Sequence, residues 1–159
     1  MTVVLTGRDL SLEELRELAR GLHPAVLTAR GLAPALEALA ARAPLPVELA
    51  VEDLALPATI EAAAYYVVAE ALTNVAKYAS ASEARVSIRV VAGVHAVIEV
   101  ADDGVGGAQP ARGSGLRGLG DRVDALDGRL EIESAEGQGT CVRAIIPLPS
   151  PDSLLRDMT

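Results

Sequence analysis

The feature that most constrains this chain is a single polar stripe on an otherwise apolar helix. The segment reads Ala62-Ala63-Ala64-Tyr65-Tyr66-Val67-Val68-Ala69-Glu70-Ala71-Leu72-Thr73-Asn74-Val75-Ala76-Lys77-Tyr78. Pro57 opens it, and the helix is expected to run to about Ala79. Strongly polar groups occur in it only at Glu70, Thr73, Asn74 and Lys77. That spacing, i, i+3, i+4 and i+7, puts them on one line. A carboxylate, an amide oxygen and an ammonium in a row suit Mg²⁺ and phosphate, because Mg²⁺ takes oxygen ligands and Lys balances phosphate charge. A plain solvent-facing stripe would look the same, and the helix alone does not separate the two.

Composition narrows the setting. At 159 residues the chain fits one ordinary domain, and half of it is hydrophobic, which excludes wholesale disorder. Aromatics make up 2%, with no Trp or Phe, so the core must be built from Ala, Val, Leu and Ile. One cysteine excludes a disulfide framework and a Cys-rich zinc site. No apolar run reaches the roughly 18 residues of a membrane span, and the first residues lack the pattern of a signal peptide. A cytoplasmic location is therefore expected. A net charge of -8 argues against a nucleic-acid partner and against contact with an anionic membrane. It leaves room for a small anionic ligand held by local positive groups, and Lys77 is the only lysine.

Periodicity predicts helices over Ser11–Leu22, Gly31–Ala43, Pro57–Ala79 and Gly115–Leu126, and strands over Val47–Val51, Arg85–Val91, Ala96–Val100, Leu130–Ser134 and Thr140–Ile146. Adjacent hairpins without strict βαβ alternation imply an α+β fold, a two-layer sandwich of a mixed sheet and about three helices. Cys141, alone in a strand, is expected in the core.

Two further motifs carry chemistry. Asp102-Asp103-Gly104-Val105-Gly106-Gly107 follows a strand directly. An acceptor-only carboxylate there suits an exocyclic amine such as that of adenine, and glycines let a planar ligand approach the backbone. A tight acidic turn reads identically. Gly113-Ser114-Gly115-Leu116-Arg117-Gly118 opens a helix. It satisfies GxGxxG, but the loop Ala108–Arg112 stands where a dinucleotide fold needs a strand. What remains is a glycine-rich helix N-terminus, which offers backbone N–H groups to phosphate. No GxxxxGK[ST] loop is present.

The order of these parts is more specific than any one of them. Glu70-xxx-Asn74 on a helix, a hairpin, Asp102-x-Gly104-x-Gly106, Gly113-x-Gly115-Leu116-x-Gly118 and Gly139-Thr140 together resemble the catalytic, ATP-binding domain of two-component sensor histidine kinases. That domain belongs with the wider ATPase superfamily of gyrase and MutL, with its Bergerat-type ATP-binding fold. Residues 70 to 78 look like the N box, and the two glycine motifs like the two glycine boxes. Leu18–Pro24, Gly31-Leu32 and Pro46-Val47 resemble the subfamily that pairs with NarL-type response regulators. The resemblance divides the chain into the tail of a dimerisation helix with its linker (1–24), the ATP-binding domain (25–149) and a loose C-terminal tail (150–159).

The resemblance implies roles. Asn74 would bind Mg²⁺ through its amide oxygen. Glu70 would act catalytically, holding the metal's water shell or polarising the attacking group. Lys77 would face phosphate. Asp102 would accept from the adenine amine, with Gly104 and Gly106 admitting the base and Asp103 mattering much less. Gly113, Gly115, Leu116 and Gly118 would shape the lid end, and Thr140 would support adenine. Arg117 and Arg122 could reach phosphate or face solvent. Tyr78 and Ser114 stand where such kinases often carry His. The resemblance implies ATP and Mg²⁺ as cofactors. It implies a response regulator and a phosphoacceptor hairpin as partners, in a homodimeric parent kinase that a membrane could anchor. The family's acceptor is a His followed by an acidic residue. His23 and His95 both lack that context, so the chain is expected to be a piece that binds ATP without phosphorylating itself. An anti-sigma-factor serine kinase of the same fold, or a degenerate interaction domain, are the alternatives.

Overall fold

The computed structural model describes residue 27 and residues 30–52, 55–107 and 114–150. The expected helix over 11–22, His23, the lid residues 108–113 and the tail after 150 lie outside them.

A parallel crossover starts the sheet. Helix α1 (Leu32–Arg42) leads into strand β1 (Val47–Val51), and helix α2 (Ala58–Asn74) carries the chain across to β2 (Ala84–Val91). β2 lies parallel to β1, with Val47 opposite Ala84. A hairpin then returns the chain as β3 (His95–Asp102). Helix α3 (Ser114–Asp124) follows, and β4 (Arg129–Glu133) and β5 (Thr140–Pro147) close the fold. The strand order is β1-β2-β3-β5-β4, and every pair except the first is antiparallel. The expected mixed-sheet α+β sandwich with three helices is the fold observed among the described residues.

Strand alternation sorts the two faces. Val86, Ile88, Ile98, Val100, Val142, Ala144 and Ile146 all point to the helical layer and are buried. Helix α2 lies over them, flanked by α1 and α3. Ala63, Ala64 and Ala71 are among its buried residues, and such short side chains let it settle closely on the sheet; the core is not purely aliphatic as expected, because Tyr65 and Tyr66 of the same helix are buried with them. α3 contributes Leu116, Leu119 and Val123 to the same core. Each Å² of apolar surface removed from water stabilises the fold by roughly 25 cal/mol, so this buried layer is the main source of stability.

Two elements differ from the sequence expectation. The end of the long helix is not α-helical: Val75–Ala79 forms one π-helical turn, closed by Ser80 in the left-handed conformation at φ 49°. Cys141 is not in the core. Its neighbours Thr140 and Val142 face the helices, so Cys141 turns to the opposite, open face and is partly exposed.

Candidate functional site

Residues far apart in sequence meet at one end of the sheet. Ala84 pairs with Asp102, and Asp102 pairs with Thr140, so these three form one row across β2, β3 and β5. Alternation points all three towards the helical layer. The short link from the π turn into β2 brings the Asn74 end of α2 to the same end of the sheet.

On α2 the polar stripe is half-buried. Thr73 is committed to its own helix, because its hydroxyl donates to the Ala69 carbonyl at 2.8 Å. The Glu70 and Asn74 side chains make no hydrogen bond to any described residue. Burial pushes the Glu70 carboxyl above its ordinary range, and the nearby Lys77 ammonium opposes that shift. Lys77 itself is exposed.

The Asp102 loop is built from both sides. Asp102 Oδ1 accepts from the Gly104 N–H at 2.8 Å, which leaves Oδ2 without a partner among the described residues. Gly106 adopts φ 68°, and a Cβ there would run into the Ala135 carbonyl and lie 2.9 Å from that of Gly139. The space beside Gly106 is therefore taken by the turn between β4 and β5. Gly139, at φ 74°, is the reciprocal case: its Cβ would fall on the Asp102 carbonyl. Two backbone bonds seal this contact, from Gly107 N–H to the Ser134 carbonyl at 2.8 Å and from Gly137 N–H to the Val105 carbonyl at 2.7 Å. Thr140 Oγ1 lies 2.6 Å from Ser134 Oγ in the same turn.

Asp103 is more heavily engaged than Asp102. Its Oδ1 accepts from the N–H groups of Ser82 at 2.8 Å and Glu83 at 3.1 Å, and its Oδ2 accepts from the Ser82 hydroxyl. These donors, the hydroxyl first, hold its carboxyl below the usual range.

The second glycine motif is only partly visible. Gly113 lies outside the described residues, and Gly115 falls in the first turn of α3. Leu116 is buried in the core, while Gly118 is exposed with nothing within 4 Å of a would-be Cβ. Arg117 is exposed. The Arg122 guanidinium sits 4.1 Å from the centroid of the Tyr66 ring, a cation–π contact that pins α3 to α2.

A cavity of about 310 Å³ borders Asp102, Gln138, Gly139 and Thr140 and continues towards Cys141 and Glu133 on the open face. A larger one, about 430 Å³, lies at the opposite end of the sheet against Gly31, Glu52 and Glu61 and holds none of the expected site residues. Ser82, Asp103 and Gly139 were not singled out by the motifs as site residues. The Gly-Thr pair hinted at Gly139, whereas nothing local joins Asp103 to a turn some twenty residues earlier.

No group of three or more His, Cys, Asp or Glu among the described residues could hold a metal by itself. Mg²⁺ does not need one, since it commonly binds through one or two protein oxygens, water and substrate phosphates. The unpartnered Asn74 amide and Glu70 carboxylate, one helical turn apart, fit that donor set.

The fold is that of a class of ATPase domain. The chain belongs to the histidine kinase-, DNA gyrase B-, and HSP90-like ATPase family, whose model matches residues 59–150. Within it, the chain is of the kind found in sensor histidine kinases. It is 37% identical over 155 residues to the sensor histidine kinase NarS of Mycobacterium tuberculosis, covering 91% of this chain and 36% of NarS. It is 29% identical over 145 residues to the sensor histidine kinase LiaS of Bacillus subtilis, covering 85% of this chain and 39% of LiaS. The chain thus spans under half the length of these relatives. The histidine kinase domain of a blue-light activated histidine kinase from Erythrobacter litoralis superimposes with a TM-score of 0.63 at 25% identity, covering 77% of this chain and 60% of that one. No helix among the described residues is long and apolar enough to cross a membrane.

Proposed function

We propose that residues 25–149 bind Mg-ATP between the Asn74 end of α2 and the Asp102–Thr140 row, and donate the γ-phosphoryl group to a His on a dimerisation hairpin. The observation that carries this reading is a set of polar atoms left open at one end of a sheet whose other charged side chains are largely paired. Among the described residues, Asp102 Oδ2 and the Asn74 amide have no hydrogen-bond partner, and Glu70 has the charge of Lys77 nearby. Half-buried polar groups without partners cost stability, so a ligand that satisfies them is the economical explanation.

Each residue then has a task set by its chemistry. Asp102 Oδ2 accepts from the adenine amine, with its orientation fixed by the Gly104 bond. Thr140, held by Ser134, supports the same end of the base. Asn74 holds Mg²⁺ through its amide oxygen, and Glu70 orders the water around it. Mg²⁺, when bound, neutralises charge spread over the phosphates. Lys77, exposed and flexible, follows the phosphate charge. The start of α3 presents N–H groups to the same phosphates, with the glycines of its motif leaving the backbone open. Glu70, poised by burial, takes up proton density from the attacking imidazole. The remaining work is positioning, because phosphoryl transfer needs little covalent chemistry from the protein. The natural downstream partner is a response regulator, of the NarL type on the sequence resemblance.

Calorimetric titration tests the reading. The chain should bind ATP more tightly with Mg²⁺ than without, and Asn74→Ala should remove most of that difference. Equal losses with and without the metal would show that Asn74 is not a metal ligand. With labelled ATP alone the chain should carry no acid-labile phosphate. A hairpin bearing the acceptor His, added as a separate polypeptide, should acquire it. Label on His23 or His95 would sink the assignment of the acceptor to the hairpin.

A further inference from the structure

We propose that Asp103 is a positioning residue of the nucleotide site, which holds the Asp102 loop against the turn that follows the Asn74 helix. The proposal rests on the reading of Asp102 as the base-binding carboxylate.

The loop from Asp102 to Gly107 is braced on two sides by different means. On one side the β4–β5 turn grips it through backbone bonds and the glycine contacts at Gly106 and Gly139. On the other side the tie is a side chain. Asp103 reaches across to residues 82 and 83 and takes both of their backbone N–H groups together with the Ser82 hydroxyl. Those residues form the link from the π turn to β2, directly after the left-handed Ser80. A non-glycine residue in that conformation is disfavoured by itself, so the link needs an outside anchor.

Asp102 and Asp103 therefore divide the labour. Successive residues point to opposite sides of a strand end, so one carboxylate faces the helical layer and the other faces the link. Asp102 keeps an oxygen free; Asp103 has both engaged. The cluster is exposed, so it adds little to global stability. Its effect is on geometry. It joins the element carrying Asn74 to the loop carrying Asp102, so that base and metal ends of a ligand are held in one frame. Without it the loop would have to be ordered when ligand binds, and that ordering is subtracted from affinity.

The test compares nucleotides that differ at the base. ADP affinity of the full chain should fall about tenfold in Asp103→Ala, whereas GDP affinity, which gains nothing from a correctly placed Asp102, should not change. Asp103→Asn should bind ADP within about twofold of the parent, because the amide oxygen still accepts from two N–H groups and the amide nitrogen can donate to Ser82 Oγ. Ser82→Ala, which removes one of the three bonds, should fall between. Unliganded melting temperatures should stay close to the parent's in all three. An Asp103→Ala chain that binds ADP as the parent does, or loses ADP and GDP affinity in equal proportion, overturns the positioning role alone. A parent chain that shows no preference for ADP over GDP overturns the reading of Asp102, and the proposal with it.

Discussion

The two faces of the sheet treat charge in opposite ways. On the open face Arg143 donates from Nε to Glu99 at 2.8 Å and from Nη1 to Glu131 at 3.3 Å. The Glu99 hydrogen bond, above all, holds that guanidinium protonated, and Arg85 pairs with Glu48 across β1 and β2. Under the helices, at the end of the same sheet, Asp102 keeps one oxygen open and the Glu70 and Asn74 side chains lack hydrogen-bond partners among the described residues. The open face pairs most of its charges within the fold; on the proposed reading a ligand completes the covered one. Proteins commonly give up local satisfaction where they bind, so the contrast locates function as well as the motifs do.

The largest break in this contrast should come from Gly139→Ala. The new Cβ would collide with the Asp102 carbonyl at a positive φ of 74°. Backbone strain of this kind costs about 1–3 kcal/mol, and displacement of the loop adds to it. Thermal unfolding should report the loss, and nucleotide affinity should fall with it. Gly120→Ala is the control, with open space around its Cβ and no place in the motif, and should keep the parent's nucleotide affinity and hold or slightly raise its stability. Equal behaviour of the two would mean that the packing between the Asp102 loop and the β4–β5 turn is not what holds the site.

Asp102→Ala should remove a hydrogen bond to a charged acceptor, worth roughly 1.5–3 kcal/mol, or about 10- to 150-fold in affinity. ADP and ATP should suffer alike, since both carry adenine. A mutant that binds ADP as well as the parent would detach Asp102 from the base.

On the open face the expected effects are smaller. Arg143→Met should cost under about 1 kcal/mol of stability, because partly exposed ion pairs contribute little net free energy and the methionine keeps apolar cover over the strands. Nucleotide affinity should be unchanged by isothermal titration. A clear loss of ADP binding in this variant would erase the division between the faces.

How far this was legible in the sequence differs from element to element. Strand parity and helix ends were readable, because Val, Ile and Leu alternate or recur at the spacing their burial requires. Cys141 shows where parity fails: apolar residues occupy both phases of Thr140–Ile146, so a cysteine there fits either face, and only pairing with Glu133 and Ala101 decides. The π turn was not legible either, since one added residue per turn changes no residue type. Arg122 could have been a phosphate ligand or a solvated side chain, and its seat over Tyr66 depends on how α3 crosses α2. The motifs supplied Asp102, Asn74 and the glycines. Asp103 was expected to matter much less than Asp102; its donors lie in another element, and no spacing rule connects them.

Glu70 offers the smallest and most discriminating test. Its carboxyl is raised above the ordinary value of 4.5, burial being the leading cause and Lys77 the opposing one. A carboxyl raised in the folded state binds its proton more tightly there than in the unfolded chain. The stability it contributes is complete below the unfolded value and is lost as pH rises through the folded one. Above the folded value the unliganded protein therefore carries an ionised, half-buried carboxylate that opposes folding. Glu70→Gln removes that charge and keeps the shape. The variant should gain on the parent as pH rises through the folded value, and the two curves should converge below about pH 3, where both side chains are neutral in folded and unfolded chain alike. Phosphoryl transfer to an added hairpin should fall in the same variant while ADP affinity holds. A Glu70→Gln chain less stable than the parent across the whole pH range would mean that Glu70 is satisfied by the fold and belongs with Arg143, on the side of the contrast that needs no ligand.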